Sequence, residues 1–143
     1  MRFLIAEDDP IYSQIMMGML TPYAKCDEAR NGREAIEAYK RAIKENMPYD
    51  LVLVDIMMPE MNGQEVVKEI RRLEEEEMGI CYPKGIKIIM TTSLDDSGNI
   101  VNAFRSLCDA YLLKPIDGTL LFNEISSFFP SFAEQIKTVN QTE

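Results

Sequence analysis

The chain has 143 residues and a formal net charge of -9, from 15 Lys+Arg against 24 Asp+Glu. That length sets one domain as the expectation and buries a core without staples. Histidine is absent, which excludes a Ser-His-Asp triad, a Cys-His pair, an imidazole zinc site and a phosphohistidine within this chain. The acidic balance disfavours nucleic acid or an anionic membrane as the main partner. No apolar run approaches the roughly 18 residues of a spanning helix, and Glu7 follows the first apolar run too soon for a signal peptide. Cys26, Cys81 and Cys108 form no CxxC pair and leave an odd count, so reduced thiols in the cytoplasm are expected.

Short apolar runs alternate with longer amphipathic segments. Phe3-Leu4-Ile5-Ala6 ends in acids, and Pro10 opens a helix carrying Ile11, Ile15, Met16, Met19 and Leu20. Ala24 to Ala29 is a polar strand, placed at a sheet edge. Asn31-Gly32 opens a helix with Ala35, Ile36, Tyr39 and Ile43 on one face. Leu51-Val52-Leu53-Val54 ends at Asp55, and Asn62-Gly63 precedes a helix with Val66, Val67, Ile70 and Leu73. Ile86 to Met90 ends in Thr91-Thr92 and is followed by a helix with Ile100, Val101, Phe104 and Leu107. Tyr111-Leu112-Leu113 ends at Lys114-Pro115, before a helix with Leu120, Leu121, Ile125 and Phe128. Continuous apolar runs read as strands buried on both faces, so the class is α/β with a five-stranded parallel sheet. The acids Glu74 to Glu77 read as a solvated face where the helix frays, since they oppose its dipole. Beyond Pro130, Ser131 and Glu134 fit a capping box for a short helix from Phe132 to about Val139. Phe128, Phe129 and Phe132 are expected to seal the core edge.

In open parallel sheets, ligands sit beyond the carboxyl ends of the strands. The first strand delivers Glu7, Asp8 and Asp9 there, the third Asp55, the fourth Thr92 and the fifth Lys114. Carboxylates sharing a pocket must take a proton or bind a cation, and an all-oxygen donor set points to Mg²⁺. A lysine beside them offsets charge and can hold a phosphoryl oxygen. An aspartate so placed can attack phosphorus and give an acyl phosphate. Taken singly, each residue has a plainer reading: Asp8 or Asp9 as an N-cap, Asp55 as a turn residue, Lys114-Pro115 as a solvated loop.

The chain resembles the receiver domain of two-component response regulators. The resemblance rests on Phe3 to Asp9, Asp27 to Ala35, Asp50 to Gly63, Ile88 to Ser93 and Asp109 to Pro115. It implies a doubly wound, flavodoxin-like (βα)5 fold with strand order 2-1-3-4-5. It implies that Asp55 is the phosphoacceptor. Asp8 would be a direct Mg²⁺ ligand, Glu7 would act mostly through water, and the Met57 backbone carbonyl would complete the protein ligands with Asp55. Thr92 matches the switch hydroxyl, because its interval to Lys114 is the family's and Ser93 takes the small-residue position. Tyr111 matches the switch aromatic and Lys114 the family's lysine, with a cis bond to Pro115. Met57 and Leu94 flank the pocket and would screen attacking water. The stretches from Gly32 to Asp50 and from Glu74 to Gly85 are longer than the family's, and Leu107-Cys108 replaces its usual Gly-Ala.

The receiver body is expected over 1–129, with 130–143 a short extension, a helical turn or a frayed tail. The expected function is a phosphorylation-dependent signalling switch rather than an enzyme. A histidine kinase or phosphotransfer protein supplies the phosphoryl group, and a downstream protein reads the face around the fourth helix, fifth strand and fifth helix. The output is expected to be a protein contact, as in stand-alone chemotaxis-type single-domain receivers, and the expected state is a monomer or a phosphorylation-dependent dimer. Two alternatives stand beside this reading. One is a receiver-like binding module that never takes phosphate. The other is a phosphohydrolase of the haloacid dehalogenase type, which needs an acid where this chain has Met57 and a cap for which it has no room.

Overall fold

The computed structural model describes residues 1–93 and 107–142, with side chains described as far as Thr138. The helix expected around Ile100, Val101 and Phe104, and Leu94 beside the pocket, lie outside the described residues. Five strands form one parallel sheet: β1 (Arg2–Ala6), β2 (Lys25–Ala29), β3 (Leu51–Asp55), β4 (Lys87–Thr92) and β5 (Ala110–Leu113), in the order β2-β1-β3-β4-β5. The described helices are α1 (Pro10–Leu20), α2 (Gly32–Lys44), α3 (Gly63–Met78), α4 (Gly118–Phe128) and α5 (Pro130–Thr142). Fold class and strand order are those expected.

Strand alternation divides the core in two. Leu4, Ala6, Val52, Val54, Ile88 and Met90 face α2 and α3, whereas Phe3, Ile5, Leu51, Leu53 and Ile89 face α1 and α4. Both faces are therefore dry, and the central strands must be apolar throughout. The helices start where their caps permit. Asp9 accepts from Ile11 N at 2.9 Å and Asn31 from Glu34 N at 2.8 Å. Asn62 and Glu65 form a reciprocal capping box at the start of α3. Gly63 follows that cap because a Cβ there would lie 2.3 Å from the Asp55 carbonyl oxygen. The close approach seats the start of α3 directly under the end of β3.

Several expectations are corrected. On α1 the buried face is Ser13, Met16 and Leu20, while Ile11 and Ile15 are 67% and 47% exposed. Both stripes have helical spacing, and the one through Ser13, Met16 and Leu20 is the one that is buried. Leu120 of α4 is likewise turned outward, 55% exposed, while Leu121 and Ile125 are buried. β5 is not buried on both faces: Leu112 is buried on one, while Tyr111 and Leu113 on the other are 38% and 42% exposed.

The helix does not fray at the four acids. α3 runs to Met78 and stops at Gly79, whose φ of 65° gives a left-handed cap. Glu74 is buried rather than solvated. Its carboxylate accepts from Arg71 at 2.8 Å and from Ile86 N at 2.6 Å. The C-terminal helix is longer than expected and starts at Pro130, which puts Ser131 inside it rather than at a cap. Phe132 is fully buried among Phe3, Tyr23 and Phe122, with ring centroids 6.1, 5.5 and 5.8 Å away. Burying one such ring contributes about 1.5–3 kcal/mol, so this helix is tied to the core edge as expected of Phe132.

Candidate functional site

The chain's acids and one lysine meet at the carboxyl ends of the strands. Glu7 continues β1, its N–H donating to Ala29 O at 3.0 Å. Asp55 is the last residue of β3, and Ile56 N donates to Thr91 O at 3.0 Å across the β3–β4 seam. Lys114 follows β5, and its N–H donates to Thr92 O at 2.7 Å. Thr92, the last residue of β4, is thereby placed next to Lys114. Thr91, the residue before it, is the register partner of Asp55.

Side chains complete the convergence. Glu7, Asp8 and Asp55 each offer a carboxylate oxygen, all within 4.8 Å of one another. Glu7 and Asp55 are buried and Asp8 is exposed. The Lys114 ammonium lies 3.1 Å from Glu7 Oε1, 2.9 Å from Oε2 and 3.3 Å from Asp55 Oδ2. Backbone donors add to this: Asp9 N to Glu7 Oε1 at 3.1 Å and Met57 N to Asp55 Oδ1 at 3.3 Å. The Lys114–Pro115 bond is cis, as the resemblance implies.

The electrostatics follow from burial. It pushes the Glu7 carboxyl up to about 7; Lys114 opposes this and the charge of Asp55 reinforces it. Burial also raises Asp55, against the pull of Lys114. Lys114 is held above the ordinary lysine range: burial pulls it down, but the Glu7 hydrogen bond and the Asp55 charge outweigh that. Three carboxylates thus face one ammonium among the described residues, and buried Glu7 Oε2 receives no aligned hydrogen bond. A hard dication fits this donor set: all oxygen, under-neutralised and open at Asp8.

Thr92 and Met57 adjoin this centre. The Thr92 hydroxyl is buried and donates to Ser93 O at 3.2 Å. Met57 is exposed at the pocket mouth. Tyr111 stands apart, lining a cleft along β5 with Leu113, Leu120 and Tyr82. Sequence reasoning missed Tyr12, whose ring centroid lies 4.4 Å from Lys114 Nζ. Its signal was there to read: an aromatic in the first turn of the helix that follows the acid pair.

The sequence matches the response regulator receiver domain family over residues 3–126, and the chain belongs to that family. It is 32% identical to the chemotaxis protein CheY of Halobacterium salinarum, an alignment covering 87% of this chain and 93% of that one. It is 28% identical to hybrid signal transduction histidine kinase I of Dictyostelium discoideum over 98% of this chain, which spans only 8% of that protein's length. Among solved structures it resembles response regulator TrrA from Thermotoga maritima in complex with Mg(2+)-BeF. The TM-score is 0.69 and the identity 26%, with 90% of this chain and 98% of that one covered. No helix among the described residues is long and apolar enough to cross a membrane.

Proposed function

We propose that this chain is a phosphorylation-dependent switch whose phosphoacceptor is Asp55. The observation that carries the reading is the convergence of Glu7, Asp8 and Asp55 within 4.8 Å, with Lys114 Nζ 3.3 Å from Asp55 Oδ2. The donor is a phosphohistidine on a histidine kinase or phosphotransfer protein, since this chain has no histidine. An Asp55 carboxylate oxygen attacks phosphorus, the phosphorus–nitrogen bond breaks, and the imidazole leaves with its electron pair and takes up a proton. The product is an acyl phosphate on Asp55.

Mg²⁺, held by Asp8, Asp55 and the Met57 carbonyl with Glu7 acting through water, would neutralise charge on the transferring group. Lys114 stands close enough to pair with a phosphoryl oxygen, and Thr92 at the neighbouring strand tip supplies a hydroxyl for another. The new group adds about -1.5 to -2 charge by analogy with other phosphorylated side chains. Drawing Thr92 towards it opens a space behind that residue, and Tyr111, whose side chain is exposed, can turn inward. That reshapes the face of β5 and α4, read by a downstream protein or by a second copy of the chain. The chain acts in the cytoplasm as a phosphoacceptor rather than as an enzyme on a free substrate.

The test is phosphorylation by acetyl phosphate, followed by intact mass. The wild-type chain should gain one phosphoryl group in the presence of Mg²⁺ and Asp55→Ala none. Uptake at the full level in Asp55→Ala would defeat the assignment.

A further inference from the structure

We infer that Tyr12 is a positioning residue for Lys114, its ring face seating the ammonium over the acid pocket so that it is aimed at the group Asp55 receives. This role rests on the function proposed above. Lys114 Nζ sits 4.4 Å from the Tyr12 ring centroid, within cation–π range. The same ammonium reaches both oxygens of Glu7, at 3.1 and 2.9 Å, and Asp55 Oδ2 at 3.3 Å. Its side chain is only 14% exposed. Carboxylates therefore occupy one side of the ammonium and an aromatic face another.

The placement follows from the local fold. Asp9 caps α1 through Ile11 N, and this fixes the rotation of the first turn. Ser13 then points into the core, and Tyr12, half-buried, faces the residue that follows β5. A long lysine stem has many rotamers, and an ammonium beside Glu7 and Asp55 could settle on either. A ring on its open side excludes water and narrows those positions, the preorganisation that charge stabilisation in a transition state requires. The ring need not donate a hydrogen bond to do this. Its electron-rich face suffices, so phenylalanine should replace it and an apolar side chain of similar bulk should not.

The experiment compares the wild type with Tyr12→Phe, Tyr12→Leu and chains carrying mono- and trifluorophenylalanine at position 12. Fluorination drains the ring face at nearly constant size. Two readouts are taken on the full chain: the rate of phosphoryl uptake from acetyl phosphate at saturating Mg²⁺, and the NMR shifts of the Lys114 side chain before phosphorylation. Tyr12→Phe should keep the wild-type rate. The rate should fall stepwise with fluorination, by about three- to tenfold in Tyr12→Leu. The Lys114 methylene protons should lose their ring-current shift in Tyr12→Leu. A flat fluorinated series, even with a slow Tyr12→Leu, would reduce Tyr12 to packing and overturn the role. So would Lys114 shifts that do not respond to the loss of the ring. A wild-type chain that takes up no phosphoryl group would overturn the function above and this role with it. Normal uptake that is indifferent to position 12 overturns this role alone.

Discussion

Two clusters of buried charge lie at opposite ends of the strands, and they are built differently. At the start of β4 and β5, Arg71 donates to Glu74 Oε1 at 2.8 Å, Asp109 Oδ2 at 3.0 Å, Leu107 O at 2.8 Å and Ile86 O at 2.8 Å. Ile86 N and Ile88 N donate to Glu74 and Asp109, and Lys87 lies 3.7 Å from Asp109. Among the described residues, two cations meet two anions there. At the strand ends that carry the site, three carboxylates meet one ammonium among the described residues. Buried charge alone therefore does not mark function. The first cluster is closed and serves as a clasp between α3, the loop after it and the start of β5. The second is short of positive charge.

The contrast can be broken by removing one cation from each end. Arg71→Met should cost about 3–5 kcal/mol in urea unfolding, because Glu74 and Asp109 stay buried without their partner. Added Mg²⁺ should not restore it. Lys114→Met should cost less, about 1–2 kcal/mol, because Asp8 opens its end to water and protons can replace the ammonium. Millimolar Mg²⁺ should recover most of that loss. Equal losses with equal indifference to Mg²⁺ would erase the distinction between clasp and site.

The comparison also shows what was legible in the sequence. The site was: each acid or lysine stands at the end of its own apolar run, and a parallel sheet places such ends together whatever their separation in the chain. The clasp was not. Glu74 looks like its neighbours Glu75, Glu76 and Glu77. Its burial depends on Arg71 one helical turn before it and on Ile86 N across the following loop. Helical rotation was equally hidden, because Ile11 and Ile15 repeat with the same period as the stripe through Ser13, Met16 and Leu20. The exposure of Tyr111 and Leu113, which share one face of β5, was hidden too, because a continuous apolar run does not tell which of its faces is covered. Tyr12 was legible as an aromatic near the acid pair, but its contact with Lys114 depends on the lysine reaching from the end of β5 towards the first turn of α1.

A smaller effect sharpens the contrast through pH. Glu7 is pushed up from an ordinary 4.5 to about 7, chiefly by burial. A carboxyl that holds its proton more tightly in the fold contributes stability fully below about 4.5, and loses it as the pH rises through about 7. Stability of the cation-free chain from this group should therefore fall between those values. Urea unfolding across that range should show the fall in wild type and a flatter course in Glu7→Gln. An equally steep fall in Glu7→Gln would place the linkage elsewhere.

The most direct measurement of the central claim is a beryllofluoride titration followed by backbone amide shifts, with and without Mg²⁺. If the strand-end acids, Lys114 and a dication form one phosphoryl-binding centre, shifts should saturate only when both are present. They should be largest around Glu7, Asp55, Thr92 and Lys114, and they should vanish in Asp55→Asn. Saturable binding without Mg²⁺, or unchanged binding in Asp55→Asn, would contradict it.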